Sequence, residues 1–189
     1  MAKIDFPNYG YLIQDLSDNL FRDLKDECLG SLEEHETHIS GLTNQGEGVA
    51  SHLYLKYSDK SYFDFIYNMM NDYDKEFNYL KQFTILSDAR PFTADAPWIN
   101  YQSENEYLPN HMHGGLMSYT IWIKVPVPSK FQFTYNTTCL NLHNHDLNID
   151  SSFEGKIMMF PSNLYHCVYP FYNSKEKRVS ISGNIRFKV

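Results

Sequence analysis

Eight histidines are spread along the 189-residue chain, and three of them stand where they could share one metal ion. His111 and His113 form an H-x-H within Pro109-Asn110-His111-Met112-His113-Gly114-Gly115, immediately before the apolar segment Ser118–Val125. Residues two apart on an extended chain point to the same side, so both imidazoles can reach one ion. His166, in Phe160-Pro161-Ser162-Asn163-Leu164-Tyr165-His166, would bring a third from a later strand. Two ligands at one strand end and a third from elsewhere leave metal positions open. Non-haem Fe(II) sites use such open positions for O2 and a cosubstrate. A second H-x-H, His143-Asn144-His145, lies in an Asn-rich stretch and reads as solvated loop. His35, His38 and His52 have no partner at ligand spacing.

Beyond His166 comes Arg178-Val179-Ser180-Ile181-Ser182-Gly183-Asn184. With a strand period of two, Arg178, Ser180, Ser182 and Asn184 share one face, while Val179, Ile181 and Ile185 share the other. Turned inward, a row headed by Arg is costly unless it binds something. The planar guanidinium is the preferred partner of a carboxylate, since its fork can bond both oxygens. The alternative is an edge strand whose polar face is solvated.

The elements that must carry these residues change character along the chain. Ser17 to about His35 is predicted as a helix, with Ser17 as N-cap, Asp18 in the first turn and Leu20, Leu24 and Cys28 at i+4 spacing. A longer helix is predicted from Ser58 or Asp59 to Leu80, with Tyr62, Ile66, Met69, Tyr73, Phe77 and Leu80 on one face. This stripe suits packing against a sheet. From residue 97 the pattern becomes β: Trp98–Gln102, Ser118–Val125, Phe131–Tyr135, Lys156–Phe160, Tyr165–Tyr169 and Arg178–Val189 are short, β-branched or aromatic, and separated by turn residues. Asn136–Ser152 reads as a long loop. The class is α+β: a β-sandwich or jelly roll with the helices packed on its outer face.

Composition narrows the partners. The net charge of −7 argues against nucleic acid, which needs a basic footprint. No apolar run approaches the ~20 residues of a membrane span. The N-terminal residues lack the long apolar core of a secretory signal. Cys28, Cys139 and Cys167 are odd in number and scattered, which suits reduced thiols in the cytoplasm. One domain over residues 1–189 is expected, and the sequence does not set its oligomeric state.

Taken together, the order H-x-H, distal His and R-x-S resembles the Fe(II)- and 2-oxoglutarate-dependent oxygenases with a double-stranded β-helix core. Local wording carries the resemblance further. Trp98-Ile99-Asn100, Glu106 to His113, Ser118 to Ile123, Met159 to His166 and Arg178 to Asn184 are similar to the oxygenases of cyanophages and marine bacteria, distant relatives of prolyl hydroxylases. Residues His38-Ile39-Ser40-Gly41-Leu42 also resemble that group.

The resemblance implies that residues 1–95 form a helical support and residues 96–189 the jelly-roll core. It makes His111 and His166 iron ligands, pairs Arg178 with the distal carboxylate of 2-oxoglutarate, and has Ser180 hydrogen-bond that carboxylate. Position 113 is where the wider superfamily places an Asp or Glu. His113 is either the third ligand or a supporting residue, and a neutral ligand would leave the site one unit more positive.

The implied reaction oxidises 2-oxoglutarate to succinate and CO2 with O2 and hydroxylates an unactivated C–H bond, with ascorbate as reductant. The prime substrate would be peptidyl or a small molecule, and the compartment the cytoplasm, a host's if the chain is phage-encoded. Asn100 and Tyr119 are further contact candidates, and Trp98, Tyr119, Trp122 and Tyr165 would give apolar walls. Two other readings stay open. One is a cupin-like three-histidine metalloenzyme without 2-oxoglutarate; the other is a non-enzymatic jelly-roll binding protein.

Overall fold

Two helices form where the apolar spacing predicts them. The computed structural model describes residues 10–32, 51–56, 59–83, 92–136 and 141–188. Helix α1 (Asp18–Gly30) starts at Ser17, whose side chain accepts from Leu20 N at 3.4 Å, and buries Leu20, Leu24 and Cys28. Helix α2 (Lys60–Phe77) starts at Asp59, which accepts from Tyr62 N at 3.0 Å, and buries Tyr62, Ile66, Met69, Met70 and Tyr73. It stops short of the predicted Leu80. Asn78 takes the left-handed conformation (φ 56°), and Tyr79–Gln82 continue as a 3-10 turn. The rest of the first predicted helix, with His35 and His38, and the segment carrying Cys139 lie outside the described residues.

Eleven strands form among the described residues: β1 (Leu12–Asp15), β2 (Ser51–Tyr54), β3 (Phe92–Ala94), β4 (Trp98–Gln102), β5 (Leu108–His111), β6 (Met117–Lys124), β7 (Ser129–Asn136), β8 (Leu142–Ile149), β9 (Lys156–Pro161), β10 (Tyr165–Val168) and β11 (Arg178–Phe187). Seven make a larger sheet in the order β1-β9-β6-β11-β4-β2, with β3 pairing the end of β11. The other four make a smaller sheet, β5-β10-β7-β8. Their pairings are antiparallel.

Alternation along β6 and β11 separates a packing face from a site face. Met117, Tyr119, Ile121 and Ile123 of β6 join Val179, Ile181 and Ile185 of β11 in one buried cluster with Leu24, Cys28, Tyr62, Ile66 and Met69 of the helices. The opposite face of the same strands presents Thr120, Trp122, Arg178, Ser180 and Ser182 to a cavity. Gly183 marks a close approach. It lies opposite Tyr119 in register, and a Cβ there would stand 2.1 Å from the Tyr119 hydroxyl oxygen. That hydroxyl accepts from Tyr62 Oη at 3.0 Å, so the Tyr119 ring is held against the bare backbone of Gly183.

One sequence expectation is overturned here. Asn136–Ser152 is not a long loop, because Leu142–Ile149 pairs with β7 along its whole length. The strand was masked by its composition. β8 is an edge strand with a polar outer face, and only Leu147 and Ile149 of its inward row are buried. His143 and His145 therefore stand on a strand, where His145 Nε2 shares a hydrogen bond with Tyr11 Oη at 3.1 Å and His143 stacks on Tyr135. Strands β1, β2, β3 and β5 were also not anticipated. Each has only three or four residues, too few to show a period.

Candidate active site

A cavity of about 260 Å³ opens between the site face of the larger sheet and the smaller sheet. Register lays out one wall. On β4 and β11, Gln102 faces Arg178, Asn100 faces Ser180 and Trp98 faces Ser182. From β6, Trp122 and Thr120 stand beside Ser180 and Ser182. The smaller sheet places His111 of β5 directly across from His166 of β10. His113 follows two residues on, its N–H donating to Ser162 O at 2.9 Å. Ser162 is itself fixed by a buried network: Ser118 Oγ donates to Asn184 Oδ1 at 2.8 Å and shares a hydrogen bond with Ser162 Oγ at 3.0 Å.

The three imidazoles converge. One ring nitrogen from each of His111, His113 and His166 lies within 4.8 Å of the others, the one such group of His, Cys, Asp or Glu among the described residues. His111 Nδ1 lies 2.6 Å from Pro109 O, and His166 Nδ1 lies 2.9 Å from Leu164 O. A carbonyl only accepts, so each ring carries a proton on Nδ1, and in the neutral form Nε2 is the nitrogen that keeps the lone pair. That is the tautomer a metal-binding histidine needs, set by the hydrogen bond its other nitrogen makes. His166 is 4% exposed, stacked parallel on Phe131 and edge-on to Phe160.

Burial, with the neighbouring His111, lowers His113 to about 4, and burial lowers His166 to about 3. Both rings are therefore neutral at pH 7 and available as ligands. The same shifts set a stability trend. Below the ordinary value of 6.5 the unfolded chain takes up protons that these folded rings refuse. Stability of the metal-free protein is thus complete above 6.5 and is lost as pH falls toward 4 and then 3. Its thermal midpoint is expected to drop between pH 7 and pH 4, and His166→Gln to flatten that slope in thermal denaturation followed by circular dichroism.

Arg178 stands at one end of the Arg178–Ser180–Ser182 row and is 4% exposed. It donates to Ser129 Oγ, to Gln102 Oε1, and to Tyr169 O at 3.2 Å, and its guanidinium lies 5.8 Å from the Phe171 ring centroid. Burial lowers its pKa to about 10, so it remains a cation. Among the described residues no acidic one lines the cavity. The protein's exposed Lys–Asp and Lys–Glu pairs lie elsewhere, so a positive pocket sits in an acidic chain.

Other expectations fare differently. Ser180 and Asn100 line the cavity, but Asn100 is already bonded, accepting from Trp98 Nε1 at 3.1 Å and donating to Ser182 Oγ at 2.9 Å. Trp98 and Trp122 are walls, with the Trp98 ring 5.9 Å from that of His113. Tyr119 borders the cavity, yet its hydroxyl is turned into the helix layer. Tyr165 is not a wall: 46% exposed, it borders a separate groove of about 740 Å³ with Asn110 and Asn163. Its neighbour His166 points inward, so by the two-residue period Tyr165 points out. Gln102 and Ser129, the side chains that hold Arg178, were not anticipated. Neither has a chemical signature of its own, and only strand register brings them to the guanidinium.

Of the free thiols among the described residues, Cys28 is buried, which raises its pKa, and Cys167 is partly exposed. No helix among the described residues is long and apolar enough to cross a membrane.

The imidazole donor set is of a kind that suits Fe(II), and the guanidinium is of a kind that suits a carboxylate. Residues 96–184 match the family model described as "Putative 2OG-Fe(II) oxygenase". No curated protein matches the sequence. Among solved structures, a Pseudomonas putida prolyl-4-hydroxylase is similar at TM-score 0.59 and 16% identity, over 96% of this chain and 95% of that one. The viral collagen prolyl hydroxylase of Paramecium bursaria Chlorella virus-1, solved with 2-oxoglutarate, is similar at 0.55 and 12%, over 96% and 97%. A Trichoplax adhaerens prolyl hydroxylase, in complex with a hypoxia inducible factor peptide, is similar at 0.58 and 10%, over 93% and 83%. At such identities these structures establish a shared fold, the double-stranded β-helix. Residues 96–184, which match the 2OG-Fe(II) oxygenase family model, hold every lining residue of the cavity.

Proposed function

We propose that this protein is a hydroxylase in which His111, His113 and His166 hold Fe(II), while Arg178 and Ser180 hold the distal carboxylate of 2-oxoglutarate. The observation that carries the reading is Arg178: a buried cation with no carboxylate partner among the described residues, in the same cavity as three converging imidazoles. Bound there, Fe(II) with O2 and 2-oxoglutarate supplies oxidative decarboxylation to succinate and CO2, coupled to conversion of a C–H bond to C–OH.

The chain's own residues do the rest. Pro109 O and Leu164 O fix two imidazole tautomers. Ser162, braced by Ser118 and Asn184, holds the backbone at His113. Trp98, Trp122, Phe131 and Phe160 line the cavity with apolar surface that limits water around the metal. His113 is assigned as the third ligand because its ring nitrogen belongs to the same 4.8 Å group.

A single domain over residues 1–189, ascorbate as reductant, a cytoplasmic location and a peptidyl or small-molecule prime substrate complete the reading. The protein supplied with Fe(II), 2-oxoglutarate and ascorbate is expected to release succinate even without prime substrate, as uncoupled turnover detected by mass spectrometry. A protein that binds Fe(II) yet neither binds nor consumes 2-oxoglutarate would instead support the cupin-like reading, in which Arg178 has no special role.

A further inference from the structure

Arg178 is held by neutral acceptors alone: Ser129 Oγ, Gln102 Oε1 and Tyr169 O. Among the described residues no carboxylate oxygen comes within 4.0 Å of it, although the chain carries 23 acids against 16 bases. Gln102 is the residue best placed to have supplied one. It is 4% exposed, and β4–β11 register sets it directly across from Arg178.

The Gln102 amide has one orientation open to it. Its Nε2 donates to the carbonyl oxygens of Glu106 and Tyr169, the latter at 3.3 Å, and those oxygens cannot donate back. Oε1 is thereby turned to the guanidinium. A glutamine at this place does two things that no other side chain of its length does together. It fixes the fork through one acceptor, and it leaves the positive charge unneutralised. A glutamate would form the buried ion pair and consume that charge internally.

We infer that Gln102 is the positioning and charge-setting residue of the cosubstrate site: by aligning Arg178 without pairing it, Gln102 makes the cavity select a doubly charged 2-oxo acid over a singly charged one. This rests on the assignment of Arg178 as the anchor for 2-oxoglutarate.

The test compares two ligands by calorimetry on the full chain loaded with redox-inert Zn(II). 2-Oxoglutarate carries the distal carboxylate, and 2-oxopentanoate keeps the 2-oxo acid end without it. In Gln102→Glu, 2-oxoglutarate affinity is expected to fall roughly 10- to 100-fold while 2-oxopentanoate changes less than about 3-fold. A purely structural role would move both ligands together, and either that outcome or an unchanged preference would overturn the inference. Should Gln102→Glu fail to fold, Ser129→Asp brings a carboxylate to the other edge of the fork and decides the matter on the same two numbers. If the unsubstituted protein shows no preference for 2-oxoglutarate over 2-oxopentanoate, the Arg178 assignment itself fails.

Discussion

Replacing His166 by alanine is expected to reduce bound Fe(II) to below one-tenth of the wild-type stoichiometry and to abolish succinate release. Of the three imidazoles His166 is the most enclosed, and its Nε2 is freed for the metal by the Nδ1 bond to Leu164 O. Loss of a supporting residue around a metal typically costs about 10- to 100-fold in affinity, and loss of a ligand exceeds that. Alanine also leaves a hole between Phe131 and Phe160, costing on the order of 2–4 kcal/mol. His166→Gln, which fills the space, separates the effects. It should stay folded by circular dichroism and still fail to retain metal by elemental analysis. The same assay resolves His113. His113→Asp is expected to keep the metal and His113→Ala to lose it. Full retention by His113→Ala would make His113 a supporting residue.

Much of this site was legible in the sequence because its residues obey short-range periods. The two-residue alternation from Arg178 to Asn184 was enough to assign Arg178, Ser180 and Ser182 to one face and Val179, Ile181 and Ile185 to the other, and the β11 packing follows that division. The i+4 spacing of Leu20, Leu24 and Cys28 likewise located the buried face of α1. What could not be read depends on pairing across distance. Gln102 is an ordinary glutamine until β4 aligns with β11, and Ser129 is a strand start until β7 reaches the guanidinium. β8 was lost for a related reason. With one face in water its polar residues carry no penalty, and the buried pair Leu147 and Ile149 is too short a signal against the asparagines. Tyr165 failed by one residue of parity, which on a strand is the whole difference between cavity and surface.

Charge shows how the fold and the site divide their requirements. The net charge of −7 is carried by an exterior where lysines pair with aspartates and glutamates in solvent, contacts worth little individually. Inside, burial keeps His113 and His166 neutral, and among the described residues Arg178 is the one permanent charge lining the cavity. With a neutral His113 in place of a carboxylate, a divalent metal would keep both of its charges. Metal and guanidinium would then stand opposite the two carboxylates of 2-oxoglutarate, one for each end.

Arg178→Gln is accordingly expected to raise the KM for 2-oxoglutarate by roughly 10- to 150-fold while leaving Fe(II) stoichiometry unchanged. The figure follows from losing hydrogen bonds to a charged group, about 1.5–3 kcal/mol, where about 1.4 kcal/mol is tenfold. Turnover at saturating 2-oxoglutarate should fall much less, because the imidazoles and their carbonyl partners are untouched. Arg178→Lys tests the geometry separately. It keeps the charge but replaces a planar fork with a point donor that cannot satisfy Ser129, Gln102 and Tyr169 O along with a carboxylate. Its KM should lie between those of the wild type and Arg178→Gln. Steady-state succinate release against 2-oxoglutarate concentration gives both values. An unchanged KM in Arg178→Gln would move the anchor elsewhere in the cavity. A KM for Arg178→Lys equal to wild type would mean that charge alone holds the cosubstrate, and that the fork fixed by Gln102 contributes nothing.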